Sequence, residues 1–195
     1  LFTWPRPSDE KVRAILEAHA DAPFSYAEVG ATGDATLPRG YNVDQYRIQL
    51  GTGAAAFAAA KSALSRWRMF DASWIRIFPA DAAIRQGSVI VVAPAHFGCY
   101  SINLCRIVYV VDGASPVASF GFAYGTLMEH AESGEERFTV SWNRGDDSVW
   151  YEILAFSRPR SALARIGYPV SRALQKKFGR TSLAAMRTAT ASLRS

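Results

Sequence analysis

The chain has 195 residues, 49% of them hydrophobic and 20% charged, with a net charge of +5. A globular chain of this length buries roughly 70% of its unfolded surface. One domain is the default organisation, and no apolar run approaches the ~20 residues of a membrane-spanning helix. The first residues, Leu1 to Pro7, lack the charged-then-apolar order of a secretory signal, so the chain reads as cytoplasmic.

We read residues 1–195 as a single domain: an N-terminal helix within 1–23, a strand, helix and antiparallel sheet over 24–159, and a basic helical segment over 160–195. Ser8 caps the first helix, Asp9 and Glu10 suit the positive end of its dipole, and Val12, Ile15, Leu16 and His19 share one face. Asp21-Ala22-Pro23 ends it, and the glycines and prolines from Gly30 to Gly40 predict a long connection. Tyr41 to Leu50 reads as a strand with Tyr46, Ile48 and Leu50 on one face. An Ala-rich helix follows, from about Ala54 to Phe70.

Strands are then predicted at Trp74–Phe78, Ser88–Ala93, Ile102–Val111, Val117–Leu127, Arg137–Asn143 and Val149–Phe156. Short turns between neighbours predict antiparallel pairing. From Ser161 the spacing of Leu163, Ile166, Val170, Leu174 and Phe178 returns to helix, with Gly167 and Pro169 marking a kink or a fresh start. The predicted fold class is α+β: a curved antiparallel sheet of about seven strands gripping a long C-terminal helix. That order looks like the helix-grip arrangement of START-like proteins, the polyketide-cyclase and lipid-transport superfamily, in which sheet and helix enclose a ligand cavity.

Charge is unevenly placed. Residues 153–195 carry nine basic side chains and no acid, so residues 1–152 carry net −4. This basic arm either packs on the acidic body or meets an anionic membrane surface through Arg172, Lys176, Lys177 and Arg180. No motif for sequence-specific nucleic-acid reading is present. Cys99 and Cys105 read as reduced core residues.

Seven separated blocks, among them Phe24 to Thr32, Leu37 to Tyr41, Trp67 to Phe70, His130 to Phe138 and Ala155 to Pro159, resemble one bacterial and plant family, the domain of unknown function numbered nineteen-ninety. The resemblance runs from about Phe24 to Phe178 and implies no established activity. Some plant members are described as chloroplast outer-envelope pore proteins, so the resemblance leaves a membrane role open. The strands here lack the lipid-facing band and aromatic girdles of a pore.

Four constellations could carry chemistry. Gly51-x-Gly53-x-x-Ala56 has the spacing of a dinucleotide loop but not the βαβ context, which points to a tight turn and no cofactor. His130, Glu132, Glu135 and Glu136 hold the groups for acid–base work, yet no completed metal motif; no metal is expected. The plainer reading of this run is a solvated hairpin connection turning at Ser133-Gly134. Arg106 and Glu152 alternate with apolar neighbours, so both are expected to point inward, as a buried pair or as anchors for a polar head group. Gly121, Ala123 and Gly125 form a stripe of small residues that would meet the C-terminal helix or a ligand.

The function expected is non-covalent binding of a hydrophobic or amphipathic small molecule in an internal cavity, with Arg106, Tyr124, Trp142 and Glu152 as polar anchors. The alternatives are a lyase, cyclase or hydrolase using Glu132, Glu135 or Glu136 with His130, and a membrane-surface or interaction module acting through the basic helix.

Overall fold

The computed structural model describes residues 2–3, 7–96, 99–114, 117–128, 130, 132–160 and 168–193. Helix α1 spans Asp9–Ala18, and Ser8 accepts a hydrogen bond from the Lys11 N–H at 3.2 Å, which satisfies one of the helix's otherwise unpaired donors. Helix α2 spans Gly53–Ser65 and α3 Tyr168–Ser192. The strands are β1 Phe2–Thr3, β2 Asn42–Thr52, β3 Ile75–Phe78, β4 Val89–His96, β5 Cys99–Ser101, β6 Asn103–Gly113, β7 Val117–Thr126, β8 Glu132–Asn143 and β9 Ser148–Pro159.

All pairings are antiparallel, in the order β1-β5-β4-β6-β7-β8-β9-β2 with β3 on β4. Without the two short strands β1 and β5, seven strands form a curled sheet. Its concave face carries Ile90, Cys105, Ile107, Phe122, Phe138, Tyr151 and Ile153, all essentially buried. Against them pack Ala56, Ala60 and Ala63 of α2, whose small side chains admit close approach, and Phe178, Met186 and Ala189 of α3. Phe178 stacks on Phe70 with ring centroids 5.0 Å apart, and the buried Ser182 and Tyr151 hydroxyls satisfy each other at 2.8 Å.

The convex face is covered as well. Val12 of α1, with Ile15 and Leu16, packs on Val91, Ala93, Ile102 and Leu104. Farther along, the segment through Tyr26 and Ala31 packs against Phe156.

Several sequence expectations need correction. The predicted solvated hairpin at 132–136 is instead the start of β8, paired to both β7 and β9, with Ser133 and Glu135 only 2% and 3% exposed. Helix α2 stops at Ser65 because Trp67 takes a left-handed backbone (φ 57°), after which Arg68–Phe70 make a single 3-10 turn. A short strand, β5, lies between the predicted strands Ser88–Ala93 and Ile102–Val111, where only a turn was expected. The small-residue stripe does not face the C-terminal helix. A Cβ on Gly125 would fall 2.0 Å from the Tyr26 hydroxyl, and one on Gly121 would fall 2.2 Å from the Phe138 carbonyl oxygen of the neighbouring strand. The first part of the predicted C-terminal helix, residues 161–167, lies outside the described residues. The described part of the helix runs from Tyr168 to Ser192.

Candidate functional site

A cavity of about 680 Å³ lies between the first turns of α3 and the concave sheet. Phe70, Trp74, Val92, Leu174 and Phe178 give it apolar walls, and Val170, 56% exposed, stands at its opening. Its polar side is built by strand register. Asp44 lies opposite Ala155, Ala155 opposite Glu136, and Glu136 opposite Tyr124, so four adjacent strands set one row across the sheet. The next row, Tyr46, Ile153, Phe138 and Phe122, is apolar. Polar and apolar surface therefore meet within one residue pair along each strand.

Period-two alternation divides the acidic run between the two faces of β8. Glu132 and Glu136 face the cavity. Glu135 faces the other way, where it accepts hydrogen bonds from the Tyr26 hydroxyl (2.6 Å), the Gly30 and Thr32 N–H groups (2.7 and 2.9 Å) and the Thr32 hydroxyl. Both of its oxygens are used to fasten the 26–32 segment to the sheet.

Glu136 accepts from the Tyr124 hydroxyl at 2.7 Å. Burial pushes its carboxyl up to about 7; the Tyr124 bond opposes the rise, and the Asp44 and Glu132 carboxylates add to it. The Tyr124 hydroxyl is raised too, first by burial and then by Glu136. Glu132 is raised by burial, opposed by Arg172 and by the hydrogen bond that Gln175 donates to it. Arg172 forms an ion pair with Asp44, its second nitrogen 2.9 Å from Oδ1. This pair and the Gln175 bond pin the start of α3 over the cavity. His130 also lines the cavity, and its Nδ1 accepts from the Glu132 N–H at 3.0 Å, which leaves the ring proton on Nε2. Burial pushes this imidazole down to about 4, so it is neutral near pH 7.

Of the anchors expected from sequence, Tyr124 lines the cavity and the other three do not. Arg106 lies on the convex face, donating to the Ala20 carbonyl oxygen at 2.5 Å with its guanidinium 5.5 Å from the Phe24 ring. Glu152 is also convex and pairs with Arg137 at 3.3 Å, so the expected Arg106–Glu152 pair does not form. Trp142 packs near Phe57 and donates to Asp147 at 2.8 Å, away from the cavity lining. Sequence reading missed Asp44, Gln175 and Phe178 as lining residues. Asp44 had a signal: it continues the Tyr46, Ile48 alternation by one step.

On the basic helix, Arg172 is engaged with Asp44, Lys177 stands 4.5 Å over the Trp74 ring, and Arg180 donates to the Lys176 carbonyl. A second concavity, of about 790 Å³, lies between α1 and β3, but its exposed charges, among them Arg13, Arg66, Asp9 and Asp71, are of both signs. Among the described residues no group of three or more His, Cys, Asp or Glu could hold a metal ion, and no helix is long and apolar enough to cross a membrane.

A curled antiparallel sheet closed by a C-terminal helix over a cavity is a helix-grip, START-like fold. The crystal structure of Ara h 8.0201 shares it, with a TM-score of 0.51 at 13% identity over 78% of this chain and 99% of that one. The hypothetical protein jhp0584 from Helicobacter pylori gives 0.53 at 7% identity, over 85% and 95%. Residues 25–185 match the family described as a domain of unknown function, DUF1990, and the chain belongs to that family. A UPF0548 protein of Dictyostelium discoideum is 34% identical over 195 residues, covering 91% of this chain and 90% of the relative. Another, from Deinococcus radiodurans, is 31% identical over 191 residues, covering 92% and 94%.

Proposed function

We propose that the protein binds a hydrophobic or amphipathic small molecule, non-covalently, in the cavity beneath α3. The observation that carries this reading is the cavity itself: about 680 Å³, a volume ordinary for small-molecule sites, with aromatic and aliphatic walls and a few convergent polar groups. The apolar walls formed by Phe70, Trp74 and Phe178 meet water through the opening, and covering such surface is favourable. An apolar occupant would take that surface out of water. The alternative acid–base reading loses Glu135, whose oxygens are committed to Tyr26, Gly30 and Thr32.

Native mass spectrometry of freshly purified protein, compared with its denatured mass, tests the proposal. A co-purified mass lost on denaturation, or a one-to-one adduct formed on adding a lipid extract, is expected. A bare mass under both conditions would reject it.

A further inference from the structure

The cavity's charge is one-sided. Asp44, Glu132 and Glu136 lie on its concave wall, and the lining includes no lysine or arginine among the described residues. His130, the other titratable nitrogen there, is held as an acceptor at Nδ1.

The three acids are not equivalent. Asp44 has a counter-ion, Arg172, which reaches it from α3. Glu132 has the Gln175 amide. Glu136 shares a row with Asp44 and lies along β8 between Glu132 and the apolar Phe138, and its hydrogen bond comes from a neutral group, the Tyr124 hydroxyl on Oε2. Its second oxygen has no hydrogen-bond partner among the described residues, although the residue is partly exposed and lines the cavity. The neighbouring row of Tyr46, Phe138 and Phe122 begins one pair farther along the strands. The arrangement thus sets a carboxylate whose hydrogen bond comes from a neutral phenol beside an aromatic surface.

We infer that the occupant is an amphipathic cation, an amine whose ammonium group bonds Glu136 while its hydrocarbon or aryl body lies against Phe70, Trp74 and Phe178. This rests on the proposal that the cavity is a binding site, and it adds the chemical class. An ammonium donates up to three hydrogen bonds and supplies the charge that Glu136 lacks, and charge-assisted bonds of this kind are the strong ones. A carboxylate or phosphate head group would meet the Glu136 and Glu132 carboxylates, with the nearby Arg172 already paired to Asp44, and like charges repel strongly in a space of low polarizability. A neutral alcohol would fill the same volume and leave Glu136 without a counter-ion.

Three ligands of matched length separate the class from the site: decylamine, decanol and decanoate, titrated calorimetrically at pH 7.5 below their aggregation limits. Decylamine is expected to bind about tenfold or more tighter than decanol, and decanoate about tenfold or more weaker. In Glu136→Gln the ratio of amine to decanol affinity should fall to less than about threefold, with decanol still bound. That variant removes an interior charge, and its decanol affinity reports that the cavity is intact. Decanol binding without an amine preference, or a preference that survives in Glu136→Gln, overturns the assignment while the binding site stands. Failure of all three ligands to bind overturns both.

Discussion

Tyr124 and Glu136 face each other across β7 and β8, and the phenol donates to the carboxylate at 2.7 Å inside the cavity. The contact couples a group that prefers to be neutral to one that cannot leave the sheet. Because burial raises the Glu136 carboxyl from its ordinary 4.5 to about 7, the folded protein binds this proton more tightly than the unfolded chain does. Below about pH 4.5 both states are protonated and nothing is lost. As pH rises from there to about 7 the unfolded chain ionises first, stability falls, and the loss is complete above pH 7. Glu136→Gln should therefore be more stable than the parent at pH 8, by roughly 1–3 kcal/mol, and nearly equal to it at pH 4.5. Urea unfolding at the two pH values reads the difference. A variant less stable at pH 8 would show that Glu136 is not held at a cost.

Two positions of one motif should behave in opposite ways. Glu135→Ala leaves the Gly30 and Thr32 N–H groups and the Tyr26 hydroxyl without their acceptor on the convex face. With each buried unsatisfied group costing about 1–3 kcal/mol, a loss of roughly 3 kcal/mol or more is expected. Glu132→Ala, at the cavity edge, should cost under about 1 kcal/mol. Denaturant midpoints at constant m give both values; equal costs would contradict the division of the motif between faces.

Gly134 lies where β8 runs tight against β9, and a Cβ there would come within 2.0 Å of the Phe156 carbonyl oxygen and 2.8 Å of Ser157 Cα. Backbone cannot step aside as a side chain can. Gly134→Ala should destabilise by about 1–3 kcal/mol or more and part the strands at the cavity wall. An alanine variant with the parent's melting temperature would refute the close approach.

The Asp44–Arg172 pair holds the first turns of α3 over the opening. Arg172→Ala should speed amide hydrogen exchange at residues 170–176, leave residues 182–190 protected by Met186, Ala189 and the Ser182–Tyr151 bond, and increase ligand dissociation rates. Uniform exchange along the helix in both proteins would remove the latch.

Sheet, helix order and helix grip were legible because alternation and helical spacing are strong where one side of an element is wet. They failed on β8, where Glu132, Glu135 and Glu136 suggested solvent and Ser133-Gly134 suggested a turn. The phase of Phe138 and Val140 nonetheless continues backward through Glu136, Gly134 and Glu132, and that continuity was the available signal. The orientation of Arg106 was illegible for a different reason. Strand β6 is covered on both faces, by α1 against Leu104 and by the core against Cys105 and Ile107, so hydropathy cannot tell inside from outside. Gln175 and Phe178 join the site only because α3 crosses the sheet at that point, a tertiary fact without a local signature.

The most direct test of ligand binding in this cavity is a titration of the protein and its Ala155→Phe variant with one fluorescent amphiphile. Ala155 stands in the polar row between Asp44 and Glu136, and a phenyl ring there would fill the cavity without touching the convex face. One saturable site in the parent, lost in a variant that still unfolds cooperatively, is the result expected. Equal binding by both proteins would place any ligand elsewhere and contradict the account.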